Sequence, residues 1–113
     1  MKILIVEPGQ HPRIAIIDGS LKSMQETVGG YIQAVYPFDD PVAIVCDEEG
    51  LMKDTQWNRI ISETCAIKGT FFICGLGEED FTDLSEDLIE KYTQRFYQPE
   101  VFVRTGIWVT PLA

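Results

Sequence analysis

Apolar residues along this chain fall into short continuous runs rather than long helical stripes. Lys2–Val6, Val42–Cys46 and Phe71–Cys74 are almost unbroken aliphatic or aromatic segments, the pattern of strands covered on both faces. Arg13–Ile17 is a further apolar strand, and Ile32, Ala34 and Tyr36 alternate with Gln33 and Val35 at the strand period of two. Glu7–Pro12 (EPGQHP) and Pro37–Pro41 (PFDDP) are rich in chain breakers, so each joins two strands as a hairpin. The Asp-Glu-Glu-Gly at 47–50 closes the second hairpin.

Two segments carry the helical period. Leu21, Met24 and Val28 recur at i, i+3 and i+7, with Ser20 or Asp18 placed to accept the first free N–H groups. A helix of two turns is marginal alone, so all three side chains are expected to press against the rest of the domain. Gly29 and Gly30 end it, one in the left-handed conformation and the other permissive, and a strand starts at once. The second helix, about 85–97, has Ser85 as N-cap, Leu84 and Ile89 as a hydrophobic staple, and an apolar stripe of Leu88, Ile89, Tyr92 and Phe96. Acids crowd its first turn, Lys91 and Arg95 lie toward its end, as the helix dipole prefers, and Pro99 stops it.

Residues 51–68 fit neither period and are expected to form a long structured loop with one helical turn, a place where function is often found. The tail, Val101–Ala113, is too apolar to dangle in solvent. It is expected to pair as strand along a sheet edge, in the same molecule or in a neighbour, the latter giving a homodimer. The expected fold is α+β: five to six mostly antiparallel strands, able to curl toward a small barrel, with both helices (about 20–28 and 85–97) against one face or end.

Length and composition narrow the classes. The 113 residues suit a single domain, 1–113, with an apolar extension over 98–113. No apolar run approaches the ~20 residues that span a bilayer, and the opening MKILIVEPG reads as a strand, not a leader. Three cysteines, odd in number and without CxxC spacing, point to reduced, mostly buried thiols and a cytoplasmic protein. His11 is the only histidine, too few ligands for a zinc site. The net charge of −9 opposes phosphate backbones and anionic membranes, so neither nucleic acid nor membrane is an expected direct partner. No cofactor or metal is expected.

VGGYI, DEEG, NR and GTFFICGLGEEDFTDLS, in that order and at these distances, carry a family resemblance. The chain resembles, over residues 1–97, a family of small bacterial and phage domains known only as a domain of unknown function. The resemblance implies an accessory protein of a phage, plasmid or conjugative element, with no established activity and no catalytic residues. Trp57 departs from it, standing before Asn58-Arg59 where a smaller residue is expected.

Two constellations are candidate sites. Asn58 and Arg59 facing Glu48 and Glu49 could read a polar ligand, the guanidinium forking onto a carboxylate or phosphate; the structural alternative has Arg59 paired with the turn acids of 47–49. Asp47-Glu48-Glu49-Gly50 fails as a calcium loop, because Leu51 stands where an oxygen ligand belongs. The second is acidic: Glu78, Glu79, Asp80, Asp83, Glu86, Asp87 and Glu90 follow one another with no Lys or Arg between them. That run is either a solvated cap region or a surface imitating the phosphate rows of DNA. Gly29-Gly30 is no phosphate loop, since it ends a helix and anions bind at helix starts. His11, between turn breakers, reads as a partnerless exposed loop residue. No paired carboxylates, nucleophile elbow or phosphate loop stands out. The sequence therefore points to a non-catalytic accessory domain that contacts another protein, with a DNA mimic and a small-molecule binder using the 47–59 loop as alternatives.

Overall fold

The computed structural model describes residues 1–105 and 108–112, with side chains for residues 1–102. In chain order the elements are β1 (Lys2–Val6), β2 (Arg13–Ile16), α1 (Leu21–Val28), β3 (Ile32–Val35), β4 (Val42–Asp47), a 3-10 turn (Gly50–Met52), β5 (Trp57–Ser62), β6 (Cys65–Lys68), β7 (Phe71–Leu76), β8 (Phe81–Thr82), α2 (Glu86–Arg95), β9 (Val101–Thr105) and β10 (Trp108–Leu112). The fold is α+β. Its main sheet runs β2-β1-β7-β4-β3, with β8 added to the end of β7, and every pairing is antiparallel.

Both expected hairpins form, and β7 lies between them. The registers Leu4↔Ile73↔Ile44 and Ile5↔Phe72↔Val45 run across the three central strands, so each row sends its side chains to one face. These strands read as unbroken apolar runs because both faces are covered. Ile3, Ile5, Ala43, Val45, Phe72 and Cys74 pack under α1 with Met24 and Val28. Leu4, Val6, Val42, Ile44, Phe71 and Ile73 pack under α2 through Ile89, Tyr92 and Phe96, and under Ile61 and Ile67 of the β5–β6 hairpin. Three layers result, with a core on each side of the sheet.

Three expectations are corrected here. The sheet is open, with β2 and β3 at its edges, and does not close into a barrel. The helices cover opposite faces, because alternate residues of doubly apolar strands leave two surfaces to bury. Within 51–68 the expected helical turn is present as Gly50–Met52, but residues 57–68 are a hairpin and not a loop: β5 pairs with β6, with register shifts between Trp57 and Arg59 and between Ile60 and Ser62. Those bulges put consecutive polar residues inside and hide the period of two.

The helix ends follow capping chemistry with local differences. Ser20 Oγ accepts from Ser23 N at 3.1 Å, and Asp18 Oδ1 accepts from Ser20 N at 2.7 Å. Met24 and Val28 are buried, but Leu21 is 57% exposed, so two side chains and not three dock this helix. Ser85 has extended N-cap torsions yet makes no side-chain cap bond; Leu84 and Ile89 are both buried. The tail pairs with itself, β9 against β10, as a separate two-stranded ribbon, and not along the main sheet. The expected burial of Val103, Ile107, Trp108 and Val109 lies outside the described side chains.

Gly75 marks where β8 crosses the end of β7: a Cβ there would stand 2.3 Å from the Asp83 carbonyl oxygen. Backbone cannot rotate aside as a side chain can, so Gly75→Ala should cost about 1–3 kcal/mol, read as a lower urea midpoint. The Asp18 carboxyl is held at about 2, below its ordinary 3.8, by hydrogen bonds from Ser20. A lowered folded pKa gives stability that is present above the unfolded value and lost as pH falls toward about 2. Asp18→Asn should therefore lower the melting temperature at neutral pH, and the gap from the parent should close on acidification below that range.

Candidate functional site

Asn58 and Arg59, the strongest candidates by chemistry, are 0% and 1% exposed. Arg59 does not face the turn acids of 47–49. Its Nε donates to Phe96 O at 3.2 Å; Nη1 donates to Asn58 Oδ1 at 2.7 Å and Asn58 O at 3.2 Å; Nη2 donates to Gln10 O at 2.6 Å and Phe96 O at 3.0 Å. A guanidinium has five N–H donors, and these contacts take all of them. Phe96 is the C-cap of α2, where a cation complements the helix dipole. Burial draws the Arg59 pKa below its ordinary value, with Glu100 opposing that shift; an arginine nonetheless stays charged at neutral pH.

Asn58 continues the same stitch. Its Nδ2 donates to Val6 O at 2.9 Å and Gly69 O at 2.8 Å, tying the end of β1 to the turn between β6 and β7. Arg95 Nη2 reaches Ile61 O at 2.9 Å, and its guanidinium lies 4.8 Å from the Phe38 ring centre. Ile60 N donates to Glu100 Oε2 at 2.8 Å on the outer edge of β5. Trp57, half-buried, stacks on Phe102 at 5.8 Å with Lys68 Nζ 5.5 Å from its ring centre. His11 has a partner after all: its ring stacks on Tyr97 at 4.1 Å and Nδ1 lies 2.6 Å from Tyr97 O.

Around this stitch, at the end of the sheet where β1 and β4 finish and β7 begins, lies a polar cleft of about 480 Å³. Glu7, Gln10, Lys53, Thr55, Lys68 and Thr70 are among the residues that line it. Lys53 Nζ sits 2.5 Å from Asp47 Oδ2 and 3.1 Å from Gly29 O, joining the acid of β4 to the C-cap carbonyl of α1. Gly30 does not have a positive φ, unlike Gly29 at 84°; it is glycine for another reason. A Cβ on Gly30 would lie 2.7 Å from both Asp47 Oδ1 and Lys53 Nζ. The second glycine of VGG thus makes room for an ion pair, while its N–H closes the end of α1 by donating to Gln25 O at 3.2 Å.

A smaller, more apolar groove of about 190 Å³ lies between β6 and the ends of β3 and β4, with Val35, Cys46, Leu51, Cys65, Ala66 and Ile67 among its walls. Glu48 and Glu49 are exposed beside it, apart from Arg59. Burial pushes the Cys46 thiol up to about 11 and Cys74 up to about 12, with Cys65 also raised; all three are free, and thiols shifted this way are poor nucleophiles. Among the described residues no group of three or more His, Cys, Asp or Glu is placed to hold a metal ion, and no helix is long and apolar enough to cross a membrane.

The acidic run occupies the β7–β8 turn and the start of α2. Asp83 Oδ1 accepts from Lys2 N at 2.8 Å, Glu86 pairs with Lys2 Nζ, and Asp80 Oδ1 accepts from Phe81 N at 2.7 Å. Glu78, Glu79, Asp87 and Glu90 are exposed. The cleft residues Lys53, Lys68, Thr55 and Thr70 were not singled out by sequence; the one available signal was a glycine at 30 that turn chemistry does not require.

These features define a small three-layer α+β domain with a buried arginine stitch and two surface clefts. The chain matches the family model described as Domain of unknown function (DUF3846) over residues 1–97, and the protein belongs to that family. No curated protein and no solved structure matches it. The strings VGG, DEEG, NR and GT all reach the same end of the sheet, whereas Phe102, the stacking partner of Trp57, lies beyond the matched residues.

Arg59→Lys keeps the charge but cannot reach Gln10, Asn58 and Phe96 together. Leaving a buried carbonyl without a donor costs about 1–3 kcal/mol, so the variant should unfold at distinctly lower urea. An unchanged midpoint would mean that the guanidinium is not bound as described.

Proposed function

We propose that this domain is a cytoplasmic, non-catalytic accessory module of a mobile element that acts by contact with another protein. One observation carries the reading: the polar pair with most chemical promise, Asn58 and Arg59, is consumed inside the molecule, while acidic side chains of 78–90 are left facing solvent. A ligand carboxylate or phosphate would have to displace backbone carbonyls to reach Arg59, which weighs against the small-molecule alternative on the 47–59 loop. The acidic surface suits a basic protein face, since clustered carboxylates in high dielectric attract at long range and are screened by salt.

Replacing Glu78, Glu79, Asp87 and Glu90 by their amides should move the melting temperature little, because relief of like-charge repulsion offsets the loss of Asp87 from the first turn of α2. The same variant should lose a protein cross-linked to the parent domain in extracts of the source cells. If duplex DNA displaces that protein, with affinity falling steeply between low and physiological salt, the reading narrows to DNA mimicry. Identical capture by parent and variant, or substrate turnover abolished by one polar substitution in a folded protein, would overturn it.

A further inference from the structure

We propose that the groove beside β6 is a docking site for an extended peptide segment that alternates aliphatic and cationic residues and adds to β6 as a strand. The inference rests on the reading of the domain as a contact module and supplies a place and a kind of partner. Strand polarity gives the first argument. Ile60 stands opposite Ala66, and the Ile60 N–H points outward to Glu100. In an antiparallel ladder, opposed residues either exchange both bonds or turn both pairs of groups away from each other. Arg59↔Ile67 and Ile60↔Ala66 follow in unbroken register, so Ala66 presents its N–H and C=O on the side of β6 away from β5, and among the described residues β6 pairs with β5 alone.

The second argument is what lies next to that edge. Val35, Cys46, Leu51 and Cys65 form an apolar trough of about 190 Å³, room for one or two aliphatic side chains, and Leu51 is 65% exposed. A strand laid along β6 would send every second side chain into the trough and the others outward. Charge selects the occupant. Glu48 lines the trough, Glu49 follows it in the chain, and Glu63 stands in the turn that leads into β6, all exposed. Lys68, the basic residue of the groove, already donates to Lys53 O at 2.9 Å. Outward lysines or arginines on the incoming strand would meet these carboxylates, whereas an acidic segment, or a second copy of a chain carrying −9, would be repelled.

The test uses the full chain and a capped heptapeptide alternating Lys and Val. On titration the amides of Cys65–Lys68 and of Gln33–Val35 should shift by NMR, and hydrogen exchange at Ala66 should slow at least tenfold at saturation. Binding should weaken severalfold between 50 and 200 mM salt. Ala66→Pro, which removes the outward donor, should abolish the response; because that variant could misfold, a peptide N-methylated at alternate amides supplies the same deletion from the other side and should also fail. The amide variant of Glu78, Glu79, Asp87 and Glu90 should still bind, which separates failure of the groove from failure of the acidic surface. Shifts confined to 78–90, equal binding of an alternating Glu-Val peptide, no response at all, or concentration-dependent protection of Ala66 without peptide would each overturn the proposal, the last by showing self-pairing instead.

Discussion

A buried cation holds this domain together. Arg59 sits in a layer of hairpin where an aliphatic residue would be cheaper to desolvate, and its charge persists because three backbone carbonyls and one amide oxygen surround it. The four acceptors come from three parts of the chain: the β1–β2 turn, β5 itself and the C-cap of α2. Apolar packing alone would let the hairpin slide on the sheet face, since dispersion and burial are not directional. A planar fork of donors fixes one position and one orientation. Asn58 adds the same constraint toward β1 and the β6–β7 turn, so neighbouring residues of one strand register the hairpin against the rest of the fold.

That stitch also shapes what the surface can offer. By clamping β5 from one side, it leaves β6 as the free edge of the hairpin and opens the groove toward β3 and β4. By anchoring the β6–β7 turn, it frames the polar cleft, whose other wall is the Asp47–Lys53 pair lodged against Gly30. Glycine at 30 and asparagine at 58 thus serve the geometry of a surface without touching solvent much themselves. On the proposed reading, the chemistry left for biology is that of contact: carboxylates on one side, an unpaired strand edge on another.

The central sheet was legible in the sequence because β1, β4 and β7 are apolar on both faces, and a doubly buried strand has few ways to be anything else. The two hairpins followed from breakers at 7–12 and 37–41. The β5–β6 hairpin was not legible: its buried residues include Asn58 and Arg59, which polarity assigns to the outside, and its two register shifts break the alternation that marks a strand. Leu21 misled in the opposite sense, an apolar residue at helical spacing that faces solvent. The acidic surface could be named from composition, since charge clustering is local in sequence. The clefts could not, because their walls come from separated segments of the chain that meet only after the sheet has formed.

The most direct test of the central claim is the hydrogen exchange of the Arg59 Nε–H, followed by NMR at neutral pH alongside the amides of β7. If the guanidinium is locked between Phe96, Asn58 and Gln10, that proton should exchange only through global opening, as slowly as the amides of Phe72 and Ile73. Exchange within seconds, as for a guanidinium open to water, would contradict the account and return Arg59 to the surface as a group free to bind a ligand.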